Sequence, residues 1–240
     1  LAAPGAAASG APAPTPGLLP TVAWRIGDRL DWALDGGVFT AGALLEWLAG
    51  DLGLAEDPAA LTRLAATVDD ARGVAVLPAL SGLGAPWWRP GARGLIAGLT
   101  GGTTPAHIAR AALDAIAFRV ADILGDVARA TPIDALRVDG GLTNDALLLQ
   151  LQADAAGVPV QRGLVDATAA GAAALAAVGA GRFALGDIEQ RVPAPDHVVR
   201  PRTTREHRRA AQARWRGFVD AAVATSQALT SDDDPPPNEE

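Results

Sequence analysis

The chain predicts an α/β domain: a mixed or parallel sheet with helices on both sides. Two observations carry this. Short apolar runs of strand length alternate with segments whose apolar residues recur at helical spacing. The 49% apolar content of 240 residues supplies a sizeable core, because a chain this long buries roughly 70–75% of its unfolded surface.

The elements follow in order. Leu1 to Pro20 is largely Ala, Pro and Gly, with too few large apolar groups to offset its ordering entropy. Residues 1–17 are therefore expected to be flexible, ahead of one domain over 18–230. Thr21 to Ile26 and Arg29 to Leu34 read as two strands of a hairpin around Gly27-Asp28. Gly42 to Leu52 reads as a helix with Leu44, Leu45 and Leu48 on one side. Pro58 to Val68 is another, its proline placed where a first turn tolerates the missing amide. Val74 to Leu80 and Gly94 to Leu99 are apolar runs of strand length. The longest helix spans Thr104 to Ala130, with Ile108, Ala112, Ala115, Ile116, Val120, Ile123 and Val127 at helical spacing. Thr104 as cap and Pro105 just inside fit that start.

Beyond it, Leu136 to Val138 is a short strand, followed by Asp139-Gly140-Gly141 and a helix from about Asn144 to Ala156. Val158 to Gln161 is the next strand. Ala167 to Val178 is a helix of small residues, expected to be close-packed. Thr203 to Ala228 is a final long helix with an arginine-rich outer face. The tail over 231–240 is acidic and proline-rich, and is expected to be disordered.

Composition narrows the chemistry. There is no Lys, so neither a Walker A loop nor a Schiff-base lysine is available. There is no Cys, which removes disulfides, thiolates and cysteine-based zinc sites. His107, His197 and His207 lie far apart without ligand spacing, so no protein-held metal is expected. What remains is carboxylates, backbone amides, hydroxyls and arginines. A net charge of −7 with dispersed acids argues against nucleic acid. The cluster Arg200, Arg202, Arg205, Arg208, Arg209, Arg214 and Arg216 reads as a solvated helix face. No run approaches the ~20 apolar residues of a membrane span, and no secretory signal is visible, so a cytoplasmic protein is expected.

Three glycine-rich turns stand out. Asp139-Gly140-Gly141 ends a strand and leads into a helix, a suitable phosphate seat, because glycine lets backbone approach an anion and helix N-terminal amides point at it. Thr143, Asn144 and Asp145 are all good caps for that helix. The helix-terminus contribution is only ~0.3–1 kcal/mol, so further contacts are required. Gly36-Gly37 leads to Ala41-Gly42-Ala43 at another helix start. Ser81-Gly82-Leu83-Gly84-Ala85-Pro86-Trp87-Trp88 places adjacent tryptophans after a Gly/Pro turn: either a stacking platform for a ligand or, more in keeping with tryptophan's usual burial, a structural plug.

These residues carry a resemblance. The runs Leu77 to Thr100 and Thr104 to Phe118 resemble the FGGY family of carbohydrate kinases, and within it the glycerol kinases. Leu18 to Trp24 and Ala33 to Ala43 continue the match upstream. Arg137 to Gly141, Leu151 to Asp154 and Thr168 to Ala172 extend it downstream, so that it covers about residues 17 to 220. The resemblance implies an actin-like, ribonuclease H-like ATPase fold lacking its first strands, with ATP held in a cleft between two such domains of the whole enzyme. It also implies Mg²⁺-assisted transfer of the γ-phosphoryl group to a terminal hydroxyl of glycerol, and a homo-oligomer of the full-length enzyme.

For the site, the resemblance places Gly42 beside the nucleotide and the Gly140-Gly141 turn against its phosphates. Asp145 stands where the family has an asparagine near the adenine, with Asn144 next to it. Glu46 stands where glycerol kinases often have a glutamine. Two added carboxylates oppose a polyanion. The family's catalytic aspartate lies in a Gly-Asp-Gln-Gln segment and its phosphate loop reads Gly-Thr-Gly; neither string occurs here. The expectation is a C-terminal nucleotide-binding part that lacks its N-terminal partner half and is inactive alone. The alternatives are a non-catalytic remnant, or a pentulose kinase of the same family, against which the Ser81–Trp88 string argues.

Overall fold

A computed structural model of the chain describes residues 2–4, 15–164 and 166–229. The expected acidic tail, and most of the expected flexible stretch at the start, lie outside them.

The hairpin is longer than its apolar pattern suggests. β2 (Leu19–Ile26) and β3 (Arg29–Asp35) pair antiparallel through a turn at Gly27, whose φ of 60° suits glycine. β1 (Ala2–Pro4) pairs with the other edge of β3, so these three residues are held by backbone pairing that composition does not register. α1 (Gly42–Glu46) runs on as a π-helical turn over Trp47–Asp51. α2 (Pro58–Ala65) starts at Asp57, whose carboxylate accepts the Ala60 amide at 2.6 Å. β4 (Ala75–Leu77) and β5 (Leu95–Ala97) form an antiparallel pair. α3 (Pro105–Ala130) begins as expected; the Thr104 amide donates to His107 Nδ1 at 3.1 Å, which gives that histidine a capping role.

The second half alternates. β6 (Leu136–Val138) is followed by a 3₁₀ turn over Gly141–Asn144 and by α4 (Ala146–Ala156). β7 (Val160–Arg162) lies parallel to β6, and α5 (Ala167–Gly179) follows. A 3₁₀ turn at Leu185–Asp187, α6 (Ile188–Arg191) and β8 (His197–Val199) were not anticipated, being too short to show a period. β8 runs antiparallel to β7, so this sheet is mixed. α7 (Arg205–Leu229) closes the described chain. Among the described residues the strands form three small sheets, ordered β1-β3-β2, β4-β5 and β6-β7-β8, rather than one continuous sheet. β6 is therefore an edge among the described residues.

The main core gathers on α3. Leu44, Leu45 and Leu48 of the α1 segment, Leu61 and Ala65 of α2, Val76 and Leu77 of β4, Leu148 of α4, and Trp215 and Val219 of α7 meet its buried face. Alanines 109, 112 and 115 on that face let backbones approach closely. Two satellites flank it: Leu18, Leu34, Ala85, Ile123 and Val127 on one side, and Leu124, Leu136, Leu149, Ala153 and Val160 on the other. α7 is anchored by Trp215, which stacks on Phe118 at 5.5 Å and donates to Asp122 at 2.7 Å. Arg216 donates to the other oxygen of Asp122 at 3.0 Å. The outer face of α7 is exposed, as its arginine pattern suggests.

One expectation is overturned. α5 was expected to be close-packed, yet none of its residues is buried. Small side chains permit close packing but do not supply the surface to pack against. No helix of the described residues is long and apolar enough to cross a membrane.

Candidate functional site

The residues singled out in the sequence fall at two helix entrances. Gly42 is the first residue of α1, half-buried, and a Cβ placed on it would meet nothing within 4 Å. Glu46, one turn on, is exposed on the same helix. Gly140 and Gly141 are exposed at the end of β6, again with nothing within 4 Å of an added Cβ. Gly140 has φ 90° and ψ 173°, a conformation open to glycine. The turn is therefore an open, exposed stretch of backbone rather than a packed one. Both entrances rest on the same core, since Leu44 and Leu45 behind Gly42 and Leu148 behind Gly141 belong to one cluster, with Leu142 packed against it.

The turn has its own supports. Thr143 is buried, and its hydroxyl and amide both donate to the Gly140 carbonyl, at 2.7 and 3.0 Å. This role was not anticipated beyond listing Thr143 as a cap; a Thr three residues after a glycine turn is the signal for it. Asp145 is the cap of α4, accepting the Leu148 amide at 2.6 Å. Asn144 remains exposed in the 3₁₀ turn. The sequence left three caps open; the geometry chose Asp145 because a 3₁₀ turn separates the glycines from the α-helix. One α4 amide is thus already taken by a carboxylate, so an anion at this turn would meet the backbone of 140–142 rather than a bare helix end.

The paired tryptophans belong to the protein. Trp87 lies under the Arg119 guanidinium at 4.7 Å, and Trp88 donates to the Gly17 carbonyl at 3.0 Å while meeting Phe39 edge-on at 6.3 Å. Asp154, part of the family-like run, likewise serves the fold: its carboxylate accepts the amides of Arg202 and Thr203 and sets the approach to α7.

Comparison with known proteins fits this geometry. Residues 6–180 match the FGGY family of carbohydrate kinases, C-terminal domain. A glycerol kinase of Geobacter sp. (strain M21) is 52% identical over 169 residues, covering 69% of this chain and 34% of that protein. One from Trichlorobacter lovleyi is 44% identical over 213 residues, covering 88% and 43%. The crystal structure of Plasmodium falciparum glycerol kinase with ADP superposes with a TM-score of 0.78 at 29% identity, over 87% of this chain and 42% of that one. The chain thus spans about two-fifths of the length of such relatives, with the actin-like fold they share. It belongs to the FGGY family of carbohydrate kinases, as a C-terminal domain.

Proposed function

We propose that this chain is the nucleotide-binding C-terminal part of a glycerol kinase, which phosphorylates glycerol to glycerol 3-phosphate with ATP and Mg²⁺. The observation that carries the reading is the likeness to glycerol kinases at 52% and 44% identity, joined to the open glycine turn at Gly140-Gly141. A solved relative at 29% identity was crystallised with ADP.

In this reading the exposed backbone of Gly140 and Gly141 faces the nucleotide phosphates, where glycine allows close approach. Gly42 leaves room at the second entrance, with Glu46 on its rim. Asn144 is an exposed polar side chain next to Asp145, whose carboxylate is engaged as the α4 cap, and so the better candidate for a base contact. Among the described residues no cluster of three or more carboxylates or histidines could hold a metal. Mg²⁺ would therefore ride on the phosphates, as it commonly does with nucleotides. The ion would supply charge neutralisation for phosphoryl transfer. No Gly-Asp-Gln-Gln string occurs in the chain, so this part binds nucleotide, and turnover requires an N-terminal half.

Calorimetric titration of MgADP into the folded chain tests the proposal. Saturable binding that Gly141→Val abolishes is the expected result, because the added side chain fills open space without displacing the core. A folded chain that takes up no MgADP overturns it.

A further inference from the structure

The turn over Ser81–Trp88 has no part in the nucleotide reading, yet a costly residue is spent on it. Arg119, in the middle of α3, is 1% exposed. Its Nη2 donates to the Ala85 carbonyl at 2.7 Å, its central carbon lies over the Trp87 ring, and its Nε and Nη1 have no hydrogen-bond partner among the described residues. Nor is it half of a buried ion pair: the oxygens of Asp122, one turn along, are taken by Trp215 and Arg216. Burial pulls its pKa down to about 10. A buried guanidinium with unmet donors is unfavourable, so what it holds matters.

It holds a seat. The Ala85 amide donates to the Gly37 carbonyl at 3.0 Å. Gly84 lies so close to that carbonyl and to the Phe39 ring that a Cβ would not fit. Gly36 is wedged against Ile123, Leu18 and Ala85 in the same way. From there the chain runs through Thr40 and Ala41 directly into Gly42 and α1. We propose that Arg119 is a positioning residue: acting through the Ala85 carbonyl and the Trp87 ring, it clamps the Gly84–Ala85 turn onto Gly36–Phe39. That contact fixes where α1 begins. The consequence for nucleotide affinity rests on the reading of Gly42 and Glu46 given above; the clamp itself does not.

Amide hydrogen exchange of the free 240-residue chain tests the clamp without any ligand. In Arg119→Met, exchange over residues 36–46 rises about three- to thirtyfold relative to residues 146–156. Arg119→Lys, which keeps a cation over Trp87 and a donor toward Ala85, recovers most of the protection. Val160→Ala, a buried change in the satellite core that holds Leu149 and Ala153 of α4, moves the ratio the other way, loosening 146–156 rather than 36–46. MgADP affinity of the Arg119 variants follows the same order, weakened in Met and restored in Lys. Equal loosening of both segments, or none, makes Arg119 an ordinary core residue and overturns the inference. If Arg119→Met fails to fold, Trp87→Leu takes its place, and unchanged exchange over 36–46 there is equally fatal. A wild-type chain that takes up no MgADP removes the nucleotide reading, while the exchange ratio still decides the clamp.

Discussion

α3 and α5 are both rich in alanine, and they meet opposite fates. α5 is the more apolar, with Thr168 its one polar side chain, yet none of its residues is buried. α3 carries Arg110, Asp114, Arg119, Asp122 and Asp126 among its apolar residues, yet buries fifteen residues, more than any other described element. The difference lies in what surrounds each. α2, α4, α7 and β4 close around α3, and two of its carboxylates have specific partners, Asp122 in Trp215 and Arg216 and Asp114 in Arg110. α5 instead borders an open groove lined by Arg137, Val138, Phe183 and Ile188. Composition sets how much a helix can bury; neighbours decide how much it does.

That comparison breaks if the two helices respond alike to truncation. Leu113→Ala, in the 1% exposed heart of α3, is expected to cost about 2–5 kcal/mol by urea unfolding. Asp122→Asn comes next, at about 1–3 kcal/mol, because the amide keeps one acceptor oxygen where the carboxylate offers two, leaving either Trp215 or Arg216 facing an NH2.

The same substitution carries a pH signature. Burial raises the pKa of Asp122, and of Asp114, above the ordinary 3.8. Between that value and the raised one the native protein holds protons that the unfolded chain has released. Stability therefore falls as pH rises through this window. Asp122→Asn flattens that slope in a urea-midpoint series. The exposed Asp196, held below 3.8 by its hydrogen bond from Arg162, works in the opposite sense and loses its contribution as pH falls.

Asp145→Ala removes the α4 cap and is expected to cost about 0.5–2 kcal/mol, with Asp145→Asn nearly neutral in the same assay. The smallest effect sharpens the comparison most. Leu175→Ala in α5, 41% exposed, should stay within about 0.5 kcal/mol of wild type. A loss as large as that of Leu113→Ala would mean that α5 is packed after all.

Much of this was legible beforehand, because α/β alternation and helical periodicity are local signals. The α3 limits follow from Thr104, Pro105 and seven apolar residues at helical spacing, and the hairpin from Gly27-Asp28 between two apolar runs. The glycine turn before α4 could be read from Asp139-Gly140-Gly141 alone, and the family from its ordered motifs. Other features depend on contacts between residues far apart in the chain. Trp215 reaches Asp122 across 93 residues, Trp88 reaches Gly17 across 71, and Arg119 reaches Ala85 across 34. No local pattern encodes such pairs. Nor could composition tell that α5 would lie open, or that Asp145 rather than Asn144 would cap α4. The sequence by itself determined which segments can form helices and strands and where backbone can open to a ligand. Only the tertiary structure decided which of those surfaces meet, because burial is a property of pairs of elements rather than of either one.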